Sequence, residues 1–179
     1  QKMTKAVFSI PNISCEPVKS YSPESKERTE LIKEYDQMMN RIIDLPMIIN
    51  GKKITSKKKI SISPPHNHKH IVAYCHYGNQ NDVKKAILAC LEAKQNWKNT
   101  SWEHRAAIFL KAADLLAGPY RQKINAATMI NQSKNAHQAE IDASCELIDF
   151  LKFNVKFLNE IYSKQPESSN GIWNRMEYR

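Results

Sequence analysis

The chain has 179 residues, 41% hydrophobic and 25% charged, with a formal net charge of +9. That balance excludes a disordered or fibrous class and leaves room for one good-sized domain. Its longest apolar stretches, such as Pro46 to Ile49, fall far short of the ~20 residues that cross a bilayer, so no membrane span is expected.

The first fourteen residues, QKMTKAVFSIPNIS, carry two lysines and no acid, and read as the end of a basic, Ser-containing transit segment. Residues 1–21 are therefore assigned to an N-terminal extension. Ser22-Pro23-Glu24 then predicts a helix start, with Ser22 as N-cap and Pro23 at the first helical position, running to about Asp44. Leu31, Tyr35, Met38 and Ile42 give it one apolar stripe. Asn50-Gly51, inside Pro46 to Thr55, predicts a tight hairpin, because both residues readily take positive φ. The basic run Lys52 to Lys59, KKITSKKK, suits a nucleic-acid partner by charge alone. It holds no aromatic residue to stack on bases, so it reads as a solvated hairpin rim, and no nucleic-acid partner is expected.

Lys59 to Ser63 and Ile71 to Tyr77 predict two further antiparallel strands. Between them His66, His68 and His70 alternate, the spacing that puts three imidazoles on one face of a strand and can hold zinc. The preceding Pro64-Pro65 and the intervening Lys69 favour an exposed connection without metal. From Asn79, a plausible cap, Val83, Ile87, Leu91 and Trp97 recur in helical phase. Thr100 and Glu103 have capping-box spacing ahead of a helix over 101–117 that should bury Trp102, Ala106, Phe109, Ala113 and Leu116. Gly118-Pro119 ends it and starts another helix to about Asn131.

Asn135 with Gln138 opens the longest helix, which should persist to Pro166. It carries two stripes: Leu147, Leu151, Val155, Leu158 and Tyr162 on one, Phe150, Phe153, Phe157 and Ile161 on the other. More than one face therefore wants cover. Trp173 to Arg179 alternates and predicts a strand. Cys15, Cys75, Cys90 and Cys145 show no CxxC spacing and are expected to be reduced. Cys145 and Glu146 are neighbours mid-helix, where consecutive side chains point about 100° apart, so they do not form a nucleophile and base pair. Cys145 reads as a small buried helix residue.

Three stretches, SPPHNHKHIVAYCHY from Ser63, FLKAADLLAGPYRQKINAATMINQ from Phe109 and QAEIDASCELIDFLKFN from Gln138, occur in an order and spacing that resemble the mitochondrial-type 1-pyrroline-5-carboxylate dehydrogenases of the aldehyde dehydrogenase superfamily. The entry Cys15-Glu16-Pro17-Val18 fits as well, so the resemblance covers nearly the whole chain. It implies an α/β parent fold, to which this chain gives a mainly α-helical portion with short antiparallel hairpins. Residues 22–170 would be helices and hairpins of the nucleotide-binding domain, and 171–179 the first strand toward an oligomerisation flap. It further implies oxidation of L-glutamate γ-semialdehyde to glutamate in proline breakdown, with NAD as cofactor, in a homo-oligomer of the mitochondrial matrix.

The family's nucleophile, general base and nucleotide-binding motifs are not in these residues, so the chain by itself should be inactive. Glu146 matches the acidic residue near the family's aldehyde entrance and is the one candidate substrate-binding residue, placed to meet the substrate's ammonium group. Ser133 stands where these enzymes tend to have glycine, which puts the turn 131–135 under strain if it needs positive φ. The reading from a different class is a non-catalytic basic helical adaptor.

Overall fold

A computed structural model describes residues 9–178; most of the segment read as a transit sequence lies outside them. The first helix, α1 (Lys26–Met39), starts later than the sequence predicts. Tyr21 and Glu24 take φ of 52° and 66°, which breaks helical progression across Ser22-Pro23. Ser25 becomes the N-cap, its Oγ accepting the Arg28 N–H at 3.3 Å. Leu31 is buried with Tyr21 and Ala126, and Tyr35 and Met38 pack against them, but Ile42 falls outside the helix and is exposed.

The residues expected to end that helix instead form a strand, β1 (Ile43–Leu45). After the hairpin β2 (Met47–Ile49) and β3 (Lys52–Ile54) come β4 (Lys59–Ile62) and β5 (Ala73–His76). The sheet order is β1-β5-β4, with β5 antiparallel to β4 and parallel to β1, so the sheet is mixed rather than purely antiparallel. Asp44 explains the switch: its carboxylate accepts from Lys59 Nζ at 2.8 Å and from Nε2 of buried His76 at 3.0 Å. The bond from Lys59, and after it that from His76, holds the Asp44 carboxyl below its ordinary range. The hairpin forms where expected, with Asn50 and Gly51 at φ of 51° and 71° and Ile49 opposite Lys52.

Four helical stretches follow: α2 (Gln80–Asn99), α3 (Trp102–Ala117), α4 (Arg121–Gln132) and a long run from Ala136 to Ser163. Asn79 caps α2 in a full capping box with Asp82. Thr100, however, closes α2, and Ser101 caps α3 by accepting the His104 N–H at 3.4 Å; the Thr100–Glu103 box does not form. α3 lies along the end of the long run, and their buried residues are Ala106, Ala113, Ile148 and Val155. Phe109, expected inside, is 44% exposed.

The long run is not one α-helix. It comprises α5 (Ala136–Ala139), a π-helical turn over Glu140–Cys145 and α6 (Glu146–Ser163). Asn135 and Gln138 form the expected capping box. Beyond Ser163, the segment predicted as a strand finds no ladder partner among the described residues. It folds back instead, with Gln165 bonded through its side chain to both backbone groups of Met176 and Tyr178 stacked on Tyr162 at 4.8 Å.

Ser133 adopts the left-handed conformation foreseen for that turn, φ 53° and ψ 30°. Its strain, on the order of 1 kcal/mol, is partly offset by the 2.8 Å bond between Ser133 Oγ and His66 Nδ1. His70 bonds the Met39 carbonyl at 2.6 Å instead. Two of the alternating histidines thus serve as separate ties between loop and helices.

Helix α2 leaves its apolar stripe in the open. Val83, Ile87, Leu88 and Leu91 are 57%, 55%, 65% and 60% exposed, and Phe150, Phe157 and Ile161 of α6 are exposed as well. Contiguous apolar surface of this kind drives association. Light scattering on the isolated 179-residue chain should therefore show self-association, reduced by Leu88→Lys with Leu91→Lys. A monodisperse wild-type chain would favour the adaptor reading.

Candidate functional site

Before α1, residues 15–21 run as a strap across α4 and the π-helical turn. They are held there by a buried charge cluster. Arg121, at the first position of α4, is 1% exposed, and Glu140, at the start of the π turn, is 0% exposed. The Arg121 guanidinium donates through Nε to both Glu140 oxygens at 3.2 Å and through Nη2 to Oε1 of the same carboxylate. Its Nη1 reaches Glu16 Oε1 at 2.6 Å, and Nη2 reaches the Pro17 carbonyl at 2.8 Å. This planar fork serves both carboxylates and the strap backbone, geometry that an ammonium does not reproduce.

Glu140 is satisfied on every side. Besides Arg121, it accepts from the Lys19 N–H at 2.8 Å, the Tyr21 hydroxyl at 2.7 Å and Asn125 Nδ2 at 2.8 Å. Burial opposes its ionisation, but the bonds from Arg121, Lys19, Tyr21 and Asn125 prevail and pull its pKa down to about 2. Glu16 is likewise lowered: burial works against its charge, and Lys152 and Arg121 outweigh it. Among the described residues no buried side-chain nitrogen or oxygen lacks a partner, as a buried charged network requires.

The π turn has a geometric consequence. Hydrogen bonding over five residues lets Glu140 and Cys145 share a face, and Cys145 Sγ lies 3.7 Å from Glu140 Oε1 and 3.4 Å from Arg121 Nη2. Burial first, then the Glu140 carboxylate, pushes the Cys145 thiol up to about 11. A thiol protonated near neutral pH is a poor nucleophile, and at 6% exposure Cys145 is buried, as expected of a small helix residue.

Glu146 begins α6 and is exposed on its other side. It opens onto a cleft of about 570 Å³ between the strap and α6. Cys15, Glu16 and Val18 form one wall, and Glu146, Asp149 and Phe150 form the other. The cleft is mostly apolar with a carboxylate rim, which suits a small molecule bearing a cationic group. Of these residues only Glu146 is a candidate from sequence; Arg121, Glu140 and Glu16 are not. Their partners lie 19 and 105 residues apart along the chain, and no local pattern links them.

The residues present do not fit a dinucleotide. A pyrophosphate cradle needs a glycine-rich turn leading from a strand into a helix N-terminus. The chain has four glycines, at 51, 78, 118 and 171. Only Gly78 lies between a strand and a helix, and a Cβ there would meet Met47 Sδ at 2.9 Å, so side chain already fills that space. Nor do the described residues hold a group of three or more His, Cys, Asp or Glu side chains placed to bind a metal.

More than half of the chain matches the aldehyde dehydrogenase family. The chain belongs to that family, whose pattern matches residues 53–179. Within it, the chain is 44% identical over 176 residues to the delta-1-pyrroline-5-carboxylate dehydrogenase of Agaricus bisporus, covering 97% of this chain and 32% of that protein. The probable delta-1-pyrroline-5-carboxylate dehydrogenase of Schizosaccharomyces pombe is also 44% identical with the same coverage. The crystal structure of the Mycobacterium tuberculosis delta-pyrroline-5-carboxylate dehydrogenase bound with NAD superposes with a TM-score of 0.96 at 44% identity, over 98% of this chain and 33% of that one. The chain thus spans about a third of the length of the relatives it matches.

Proposed function

We propose that this chain is the N-terminal part of an NAD-dependent dehydrogenase that oxidises L-glutamate γ-semialdehyde, the open form of 1-pyrroline-5-carboxylate, to L-glutamate in proline catabolism. The single observation that carries the reading is 44% identity, sustained over 97% of the chain, to enzymes named for that activity. In this reading residues 22–170 belong to the nucleotide-binding domain and 171–179 lead toward an oligomerisation flap. The whole enzyme is a homo-oligomer of the mitochondrial matrix, in keeping with relatives from several species named as mitochondrial. NAD supplies the hydride acceptor, and residues outside this chain hold it and carry the nucleophile. The test is a chimera of this chain with the remaining two thirds of a 44%-identical relative. It should reduce NAD only when glutamate γ-semialdehyde is added, whereas the isolated chain should not, and an inactive but folded chimera counts against the reading.

Within that enzyme, Glu146 binds the ammonium group of the substrate. Its position on the cleft wall, opposite the strap, supports this role. A charge-assisted hydrogen bond of that kind contributes about 1.5–3 kcal/mol. Glu146→Ala in the full-length enzyme should accordingly raise KM by about tenfold or more, with the thermal unfolding midpoint unchanged. Unaltered kinetics would remove Glu146 from the substrate site.

A further inference from the structure

Both walls of the Glu146 cleft are tied to one buried cation. On the strap side, Arg121 holds the Glu16 carboxylate at 2.6 Å and the Pro17 carbonyl at 2.8 Å, while the Lys19 N–H is held by Glu140 at 2.8 Å. On the helix side, Glu140 opens the π turn and Cys145 closes it, both against the same guanidinium. Ser144, from the same turn, donates to Asn125 Oδ1 at 2.6 Å, so the turn is anchored to α4 at three of its residues. Glu146 is the next residue along the chain.

The strap and α6 are also bonded directly across the cleft. The Glu16 N–H donates to Asp149 Oδ1 at 2.7 Å, and Lys152 Nζ donates to Glu16 Oε2 at 2.8 Å. Arg121 and Glu140 themselves do not line the cleft. They are buried behind it, bonded on one side to the strap that carries Val18 and on the other within the turn that leads into Glu146. A stability role alone needs neither the six-residue π turn nor the strap carboxylate that bridges Arg121 and Lys152. π turns interrupt helices at functional sites more often than elsewhere.

We infer that Arg121 and Glu140 are positioning residues that set the separation of the strap from Glu146, and thereby the selectivity of the cleft for an aldehyde bearing an ammonium group. The inference rests on the proposed role of Glu146. Displacing a binding group by about 1 Å costs on the order of 10- to 100-fold when geometry governs recognition. A residue that only stabilises the fold changes the amount of active enzyme and so affects every substrate alike.

The test is steady-state kinetics of the full-length enzyme on two substrates: glutamate γ-semialdehyde and a five-carbon aldehyde acid lacking the amino group. Glu140→Gln keeps the shape and most hydrogen bonds but removes the charge that orders Arg121. It should raise KM for the amino aldehyde by about tenfold, with kcat within about twofold and KM for the amino-free aldehyde unchanged. Should Glu140→Gln not fold, Tyr21→Phe carries the same expectation, since it removes a bond from the strap to Glu140 at a residue that does not line the cleft. Equal changes for both aldehydes, or none, in a folded variant overturn the inference, provided Glu146→Gln raises KM for the amino aldehyde alone. If Glu146→Gln changes KM for both aldehydes alike, or for neither, the reading of Glu146 falls and takes this inference with it.

Discussion

Arg121→Met lowers the stability of the full-length enzyme by about 3–5 kcal/mol, because it strands the Glu140 carboxylate in the interior without its counterion. The methionine fills much of the vacated volume, so lost packing accounts for little of the effect. The charge accounts for most of it: Glu140 is 0% exposed and keeps the Lys19 N–H, Tyr21, Asn125 and the weak Cys145 thiol as partners, none of them a cation. Arg121→Lys is intermediate, since an ammonium cannot reach Glu140, Glu16 and the Pro17 carbonyl together. The double variant with Glu140→Met is less damaging than the sum of the single changes, as the two residues act on each other. It does not return to wild type, because Lys19, Tyr21 and Asn125 lose their acceptor. Urea unfolding of the four proteins measures this cycle. An Arg121→Met variant within about 1 kcal/mol of wild type would mean the cluster is hydrated and weakly coupled.

What the sequence made legible divides along the range of the interactions involved. The Asn50-Gly51 turn, the Asn79 cap and the Asn135–Gln138 box rest on groups within three residues of one another, and each forms where expected. Neighbouring hydroxyl side chains compete for a cap, and the competition is settled outside the local motif. Ser22 with Pro23 and Thr100 with Glu103 are sound local motifs, yet Ser25 and Ser101 do the capping. For α1 the decision lies in the left-handed backbone at Tyr21 and Glu24, where the strap leaves its dock on α4. The strand β1 and the π turn are non-local. One depends on His76, 32 residues away, and the other adjoins Arg121 on another helix.

The candidate site shows the same division. Resemblance to a family points to Glu146, and the structure puts it at a cleft. Glu140 carries no such signal, although it lies six residues earlier in the same segment, QAEIDASCELIDF. A carboxylate in a helix normally faces water, and nothing adjacent to Glu140 announces a buried arginine. The stripe on α2 is the converse case: Val83, Ile87, Leu91 and Trp97 recur in helical phase as expected, yet all four are exposed among the described residues.

Acid should unfold the protein through the same cluster. Glu140 has a folded-state pKa of about 2 against an ordinary value of 4.5, so the folded form binds its proton more weakly than the unfolded form. A group depressed in this way contributes its full stabilisation above the unfolded value and loses it as pH falls through the folded one. The window is therefore from about 4.5 down to 2, and the loss is on the order of 3 kcal/mol. Glu16 is shifted in the same direction and steepens this limb. Cys145 acts at the other end. Its pKa is raised from 9.0 to about 11, so its share is intact below 9 and disappears as pH rises through 11. Glu140→Gln removes the proton-binding difference at its source and should flatten the acid limb of a stability profile while lowering its plateau near neutrality. An acid limb parallel to wild type in that variant would assign acid sensitivity to other carboxylates. Because the strap is bonded to Glu140 through Lys19 and Tyr21, its release from α4 accompanies the same titration, and the cleft loses its wall as the core loses its charge pair.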